Sequence, residues 1–132
     1  GGSPAQLPLC DKRREKANLA EVMNIVGDVR GRNCLIVDDM CDTGGSLTKV
    51  AAALRAEGAD RIHACFTHPV LSGRACEQLA KSEIERVVTT NTIPLRDDAC
   101  GLEKIQVLSI APLLAKAIKS IHEETSVSSL FV

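Results

Sequence analysis

One short stretch, residues 36–46 with the sequence IVDDMCDTGGS, limits the possible folds of this chain more than any other. It continues an apolar run from Cys34 to Val37 of the kind found in buried parallel strands, and two adjacent carboxylates follow where that strand is predicted to end. Apolar residues then recur at helical spacing after the glycine pair. The stretch therefore predicts a strand, a loop and a helix, and ligands of open α/β sheets bind at such loops.

The side chains of this loop divide into two chemical groups. The glycines would let backbone N–H groups at the start of the helix approach an anion, and the neighbouring hydroxyls would add donors. The adjacent aspartates would repel a phosphate, so their partners are predicted to be hydroxyl groups or a metal ion. A phosphorylated sugar suits both groups, whereas an ordinary strand–turn–helix with a polar N-cap is the simpler alternative. The candidate binding residues are Asp38, Asp39, Asp42, Thr43, Gly44, Gly45 and Ser46.

The rest of the chain alternates predicted strands and helices. Residues 21–29 and 33–37 have a hairpin-like pattern around Arg30-Gly31-Arg32, and Ser72 is predicted to cap a helix. We predict a single α/β domain over residues 1–132, in which the polar ends of parallel strands meet at one edge of the sheet. The further predicted elements are strands at 61–67, 84–90 and 105–110, and helices at 47–57, at 73–81 and from Pro112.

The composition excludes several function classes. The chain has 132 residues, a formal net charge of −1 and no apolar run long enough to span a bilayer, so we expect no nucleic-acid or membrane partner. Its six cysteines are scattered without a C-x-x-C pair, which indicates a reducing, cytoplasmic environment without disulfides. A metal site at His63, Cys65 and His68 is disfavoured because successive residues of a strand face opposite ways and no fourth ligand is evident. With only Phe66 and Phe131 as aromatic residues, most contacts to a nucleotide base are expected outside this chain.

Several segments between Asp11 and Phe131 resemble the ribose-phosphate pyrophosphokinase family. They are VDDMCDTGGS, DKRREKANLAEVMNIVGDVRGRNCLIVDD, THPVLSG, TNTIP, KIQVLSIAPLLAKAI and SVSSLF. The resemblance implies a type I phosphoribosyltransferase-like fold, with a three-layer, mostly parallel sheet and helices on both faces. It also implies the C-terminal half of a two-domain parent that forms phosphoribosyl pyrophosphate (PRPP) and AMP from ribose 5-phosphate and Mg-ATP. The N-terminal half is absent, so the fragment alone is expected to be inactive. A phosphoribosyltransferase and a non-catalytic, PRPP-binding regulatory subunit are the alternatives.

The same resemblance implies roles for individual residues. Charge alone favours a solvated loop for the DKRR segment, but the family pattern makes Lys12 and Arg14 the cations that stabilise the transferring diphosphoryl group. It assigns the ribose hydroxyls to the aspartate pair 38–39, the 5-phosphate to residues 42–46, and Mg²⁺ to the ATP that brings it. Ser126 and Ser128 would belong to a regulatory site for phosphate and ADP at the subunit contacts of a homo-oligomer, a hexamer by family resemblance. Beyond these serines, Leu130 and Phe131 are expected to form a buried anchor.

Overall fold

The computed structural model describes residues 9–13 and 22–131, with side chains for residue 25 and residues 27–131. Two strands, β1 (Leu9–Arg13) and β2 (Val22–Val26), form a small antiparallel sheet. Four others form a parallel sheet in chain order: β3 (Cys34–Cys41), β4 (Ile62–Pro69), β5 (Arg86–Thr90) and β6 (Ile105–Leu108). The helices are α1 (Gly45–Ala56), α2 (Ala75–Lys81), α3 (Asp97–Cys100), α4 (Ala111–His122) and a terminal 3₁₀ turn (Ser128–Phe131).

The predicted parallel α/β sheet is confirmed. Because β3 to β6 run in the same direction, their carboxyl ends lie along one edge, and the polar residues there bond to one another. The Thr90 hydroxyl donates to the Thr67 carbonyl at 2.6 Å, and the Asn91 side-chain amide donates to the Ser109 hydroxyl at 3.3 Å. The loop after β3 lies at this edge, so the candidate site is positioned by the parallel sheet.

The buried core lies between the parallel sheet and the helices α1 and α2. Alternate residues of β4 (Ile62, Ala64 and Phe66) are buried, as expected for the side chains that point to one face of a strand. On α1, the buried stripe follows the helical period, and burying each large aliphatic side chain contributes about 1.5–3 kcal/mol. The stripe consists of Leu47, Val50, Ala51 and Leu54. The helix that follows the candidate loop is therefore held firmly against the sheet.

Other apolar side chains remain exposed in this chain. On β3, Leu35 is 61% exposed and Val37 is 71% exposed. The last helix contains Pro112 in its first turn, as predicted, but none of its residues is buried. Phe131 is 69% exposed in the single chain and Leu130 is half-buried, so their burial as an anchor at a subunit contact stays a prediction. No helix in the described part of the chain is long and apolar enough to cross a bilayer.

Three local predictions are wrong. There is no hairpin around Arg30-Gly31-Arg32, because β2 pairs with β1 whereas β3 pairs in parallel with β4. The strand does not end before the aspartate pair 38–39, since β3 continues to Cys41. Ser72 is not the N-cap of α2, which begins at Ala75; its hydroxyl is bonded to another loop. In each case a partner distant in sequence decides the local structure.

Candidate functional site

A cavity of about 230 Å³ opens where β3 passes into α1. It lies at the carboxyl edge of the parallel sheet, the position at which ligands of such sheets bind. Six of the seven binding residues predicted between positions 38 and 46 line the cavity. The seventh, Gly45, is the first residue of α1. The cavity is lined by Asp38, Asp39, Met40, Cys41, Asp42, Thr43, Gly44, Ser46 and Leu47.

One end of the cavity is the start of α1. Gly44 is the N-cap residue, has φ = 82° and carries no side chain that could cap the helix. No acidic residue lies in the first helical turn, where a carboxylate would partly neutralise the positive end of the helix dipole. The Gly44 carbonyl accepts hydrogen bonds from the backbone N–H (3.0 Å) and the hydroxyl (2.9 Å) of Thr48, which fix the turn. This end of the cavity suits an anion.

Two adjacent carboxylates of β3 also line the cavity. Asp38 and Asp39 lie near the end of β3, and both are exposed. The Asp39 backbone N–H donates to Asp38 Oδ1 at 2.8 Å, which orients the first carboxylate. An ionised carboxylate only accepts hydrogen bonds, so the pair suits the hydroxyl groups of a sugar. Within residues 25 and 27–131, no group of three or more His, Cys, Asp or Glu side chains could hold a metal ion.

Cys41 lies in sequence between the aspartate pair and the start of α1; it is buried and also lines the cavity. Its burial raises the pKa of the thiol to about 11, and the negative charges of Asp38 and Asp42 add to the increase. The thiol therefore stays protonated at neutral pH, and only the thiolate is a good nucleophile or metal ligand. Cys41 contributes apolar packing beneath the cavity, and it is not suited to a chemical step.

Comparison with known proteins identifies the family. The profile of the phosphoribosyl synthetase-associated domain matches residues 6–132. The chain belongs to this family. Ribose-phosphate pyrophosphokinases from Ralstonia nicotianae and Listeria ivanovii are 55% and 51% identical to the domain, over 95% and 96% of its length. The domain spans only 40% of the length of each of these relatives.

A solved structure agrees with this assignment. The crystal structure of phosphoribosylpyrophosphate synthetase from Mycobacterium smegmatis superposes on the domain with a TM-score of 0.74 at 41% sequence identity. The match covers 78% of the domain and 34% of that chain. The family resemblance and the phosphoribosyltransferase-like α/β fold are therefore confirmed.

The other predicted site residues of the domain lie away from this loop in sequence. Lys12 is in β1, paired with Met23 of β2, and Arg14 lies outside the described residues. In the C-terminal tail, the hydroxyl oxygens of Ser126 and Ser128 are 2.7 Å apart, and both residues are exposed. The structure thus brings the two serines together, and the roles of all four residues stay predictions.

One contact of the site was missed in the sequence. The Ser72 hydroxyl donates a hydrogen bond to Asp42 Oδ1, and the Ser72 backbone N–H donates to the Asp42 carbonyl at 2.9 Å. Ser72 follows β4 and is 30 residues from Asp42 along the chain. Because no periodicity connects the two positions, the sequence pattern around Ser72 indicated only a helix cap.

Proposed function

We propose that this chain is the ribose 5-phosphate-binding domain of a ribose-phosphate pyrophosphokinase, which makes PRPP and AMP from ATP and ribose 5-phosphate. The observation that carries the proposal is the cavity between β3 and α1, whose lining combines the Asp38–Asp39 carboxylates with the start of a helix. A sugar phosphate has hydroxyl groups and a phosphate at its two ends. The names of the relatives support the reaction class.

In this proposal the two ends of the cavity divide the substrate between them. Asp38 and Asp39 accept hydrogen bonds from ribose hydroxyl groups. The 5-phosphate lies at the start of α1, where backbone N–H groups and hydroxyls donate to it and the helix dipole favours its charge. We name residues 42–46 the phosphate loop, and Asp42 is its first residue. The donors to the phosphate are Thr43, Gly44, Gly45 and Ser46.

The reaction would be a diphosphoryl transfer. The oxygen of the ribose C1 hydroxyl attacks the β-phosphorus of ATP, the bond from that phosphorus to the oxygen bridging it to the α-phosphorus breaks, and AMP leaves. Lys12 and Arg14 would stabilise the negative charge of the transferring group, and an arginine cannot serve as the base. Mg²⁺ bound with ATP would neutralise phosphate charge. Mg²⁺ would arrive chiefly with ATP, because it is usually bound through substrate phosphates and keeps several waters.

The proposal assigns the remaining functions to the full-length protein. The nucleotide-binding residues would lie outside this chain, so the chain alone would not turn over its substrate. The full-length protein would be a cytoplasmic homo-oligomer, a hexamer by family resemblance. Phosphate and ADP would act as effectors at a site that includes Ser126 and Ser128, whose adjacent hydroxyls offer donors to an anion.

A product assay tests the reaction class. The full-length protein that contains this chain, supplied with ribose 5-phosphate and Mg-ATP, is expected to release AMP and to form PRPP in equal amounts. A phosphoribosyltransferase would instead consume PRPP in the presence of a base. Release of ADP, or binding of ribose 5-phosphate without any turnover, would contradict the proposed reaction.

Substitution of Asp39 tests the division of the cavity. Asp39→Ala is expected to weaken ribose 5-phosphate binding by about tenfold, because a hydrogen bond to a charged group is lost. Binding of inorganic phosphate should be unchanged or tighter, since a repelling charge is removed. Calorimetry measures both affinities, with Asp60→Ala as a control at an exposed aspartate outside the cavity. Equal losses for sugar phosphate and phosphate would show that the two ends are not separate.

A further inference from the structure

The residues that follow β4 bind the start of the phosphate loop through three hydrogen bonds. We name residues 70–72 (Val70, Leu71 and Ser72) the clasp. The Leu71 N–H donates to the Cys41 carbonyl and the Ser72 N–H to the Asp42 carbonyl, each at 2.9 Å. The Ser72 hydroxyl also donates to the Asp42 carboxylate. The clasp therefore holds both the backbone and the side chain of Asp42.

The clasp itself is firmly fixed. The Leu71 side chain is completely buried in the core, and the Leu71 carbonyl accepts a hydrogen bond from Arg96 Nη1 at 2.9 Å. Leu71 has φ = 49°, a left-handed conformation that a leucine rarely adopts and that persists only where its surroundings impose it. The burial of Leu71 and its bonds in both directions supply those surroundings. The phosphate loop is thus attached to a rigid part of the core.

The Asp42 carboxylate belongs to a loop proposed to bind a phosphate, although two negative groups repel each other. A carboxylate in direct contact with a phosphate would repel it, and such a contact would weaken substrate binding. In the structure, Asp42 Oδ1 instead accepts a hydrogen bond from the Ser72 hydroxyl. We infer that Asp42 is a positioning residue, which fixes the phosphate loop through Ser72 and does not contact the phosphate. This inference rests on the proposed function, and it says which contact fixes the conformation of the proposed phosphate site.

A double-mutant cycle in the full-length protein tests whether the two residues act through each other. Ser72→Ala and Asp42→Ala should each weaken ribose 5-phosphate binding by about tenfold, as measured by calorimetry. The double variant should bind no more weakly than either single variant, because both changes break the same contact. If Asp42 bound the substrate directly, the losses would multiply to about a hundredfold, and the inference would be overturned.

Conservative variants give a second test. Ser72→Thr keeps the hydroxyl donor, and Asp42→Asn keeps an acceptor oxygen while it removes the charge, so each should recover most of the affinity that the alanine variant loses. An Asp42→Asn variant that binds as weakly as Asp42→Ala would show that the charge itself is needed. Ser82→Ala is the matched control, because the Ser82 hydroxyl makes a similar bond, to the Leu79 carbonyl at 2.7 Å, at the end of α2. This variant should keep the affinity of the wild type.

Steady-state kinetics separate positioning from a general loss of structure. In Ser72→Ala the KM for ribose 5-phosphate should rise by about tenfold while the KM for ATP stays unchanged. A loss of folded protein would lower the apparent kcat and leave both KM values unchanged, and that result would count against the inference. If the wild-type protein binds neither ribose 5-phosphate nor phosphate, the proposed function fails and the inference fails with it. If the wild type binds ribose 5-phosphate but the affinity losses of Ser72→Ala and Asp42→Ala multiply in the double variant, only the inference fails.

Discussion

Replacement of Gly44 by alanine tests whether the backbone conformation of the loop creates the phosphate site. Gly44 has φ = 82°, and an alanine in this left-handed conformation costs about 1–2 kcal/mol. An added Cβ would lie 3.6 Å from the Cα atom and the carbonyl oxygen of Ala75, which is an ordinary contact distance, so steric overlap adds little. Gly44→Ala should therefore lower the free energy of unfolding by about 1–2 kcal/mol and still fold.

The same substitution should affect binding more than stability. The strain at position 44 is relieved only if its backbone rotates, and this rotation would turn the N–H groups of the first helical turn away from the phosphate. Loss of one hydrogen bond to a charged phosphate costs about 1.5–3 kcal/mol, so the affinity for ribose 5-phosphate should fall by at least about tenfold. Calorimetry with ribose 5-phosphate and with inorganic phosphate measures the loss, and both ligands should be affected.

Gly58 provides the matched control at the opposite end of α1. It has φ = 91°, and an added Cβ would lie 3.2 Å from Cγ of the Arg30 side chain, which can move aside. Gly58→Ala introduces comparable backbone strain outside the cavity, so it should lower the thermal unfolding temperature and leave both affinities unchanged. Equal affinities in the two variants, or a Gly44→Ala variant that binds within twofold of the wild type, would refute the reasoning.

Two further predictions concern stability. Thr89 is 1% exposed, and its hydroxyl has no hydrogen-bond partner in the described part of the chain. Thr89→Val should therefore raise the free energy of unfolding by about 1–2 kcal/mol. A loss of stability in urea titrations would show that the hydroxyl is satisfied. Hydrogen bonds from Arg74 and Lys81, together with the positive charges of these residues, lower the pKa of the Glu77 carboxyl to about 2. The ionised Glu77 therefore stabilises the folded state above pH 4.5, and this stabilisation is lost as the pH falls toward about 2. The melting temperatures of the wild type and Glu77→Gln should converge over that interval, and a constant difference would contradict the assignment.

The sequence predicted most of the residues that line the cavity, because this part of the structure is local. The residues from Asp38 to Ser46 are contiguous, so the apolar run, the glycine pair and the following helical period were enough to place them at the end of a parallel strand. Two contacts between distant segments were not predicted. The partner of β2 is β1, across residues that carry no turn signal, and the hydroxyl of Ser72 bonds to Asp42 across 30 residues. Local patterns record the period of an element, but the choice of partner depends on packing in three dimensions.

The raised pKa of Cys41 has a practical consequence for chemical labelling of this domain. With a pKa of about 11, only about one Cys41 side chain in ten thousand carries a thiolate at pH 7, and alkylating reagents react with the thiolate. Among the five cysteines whose side chains the structure describes, Cys100 is the exposed one. Of these five cysteines, a maleimide dye added in limited amount should therefore attach first to Cys100 and spare Cys41. A reporter at Cys100 would leave the cavity unmodified, because Cys100 is not among the residues that line it.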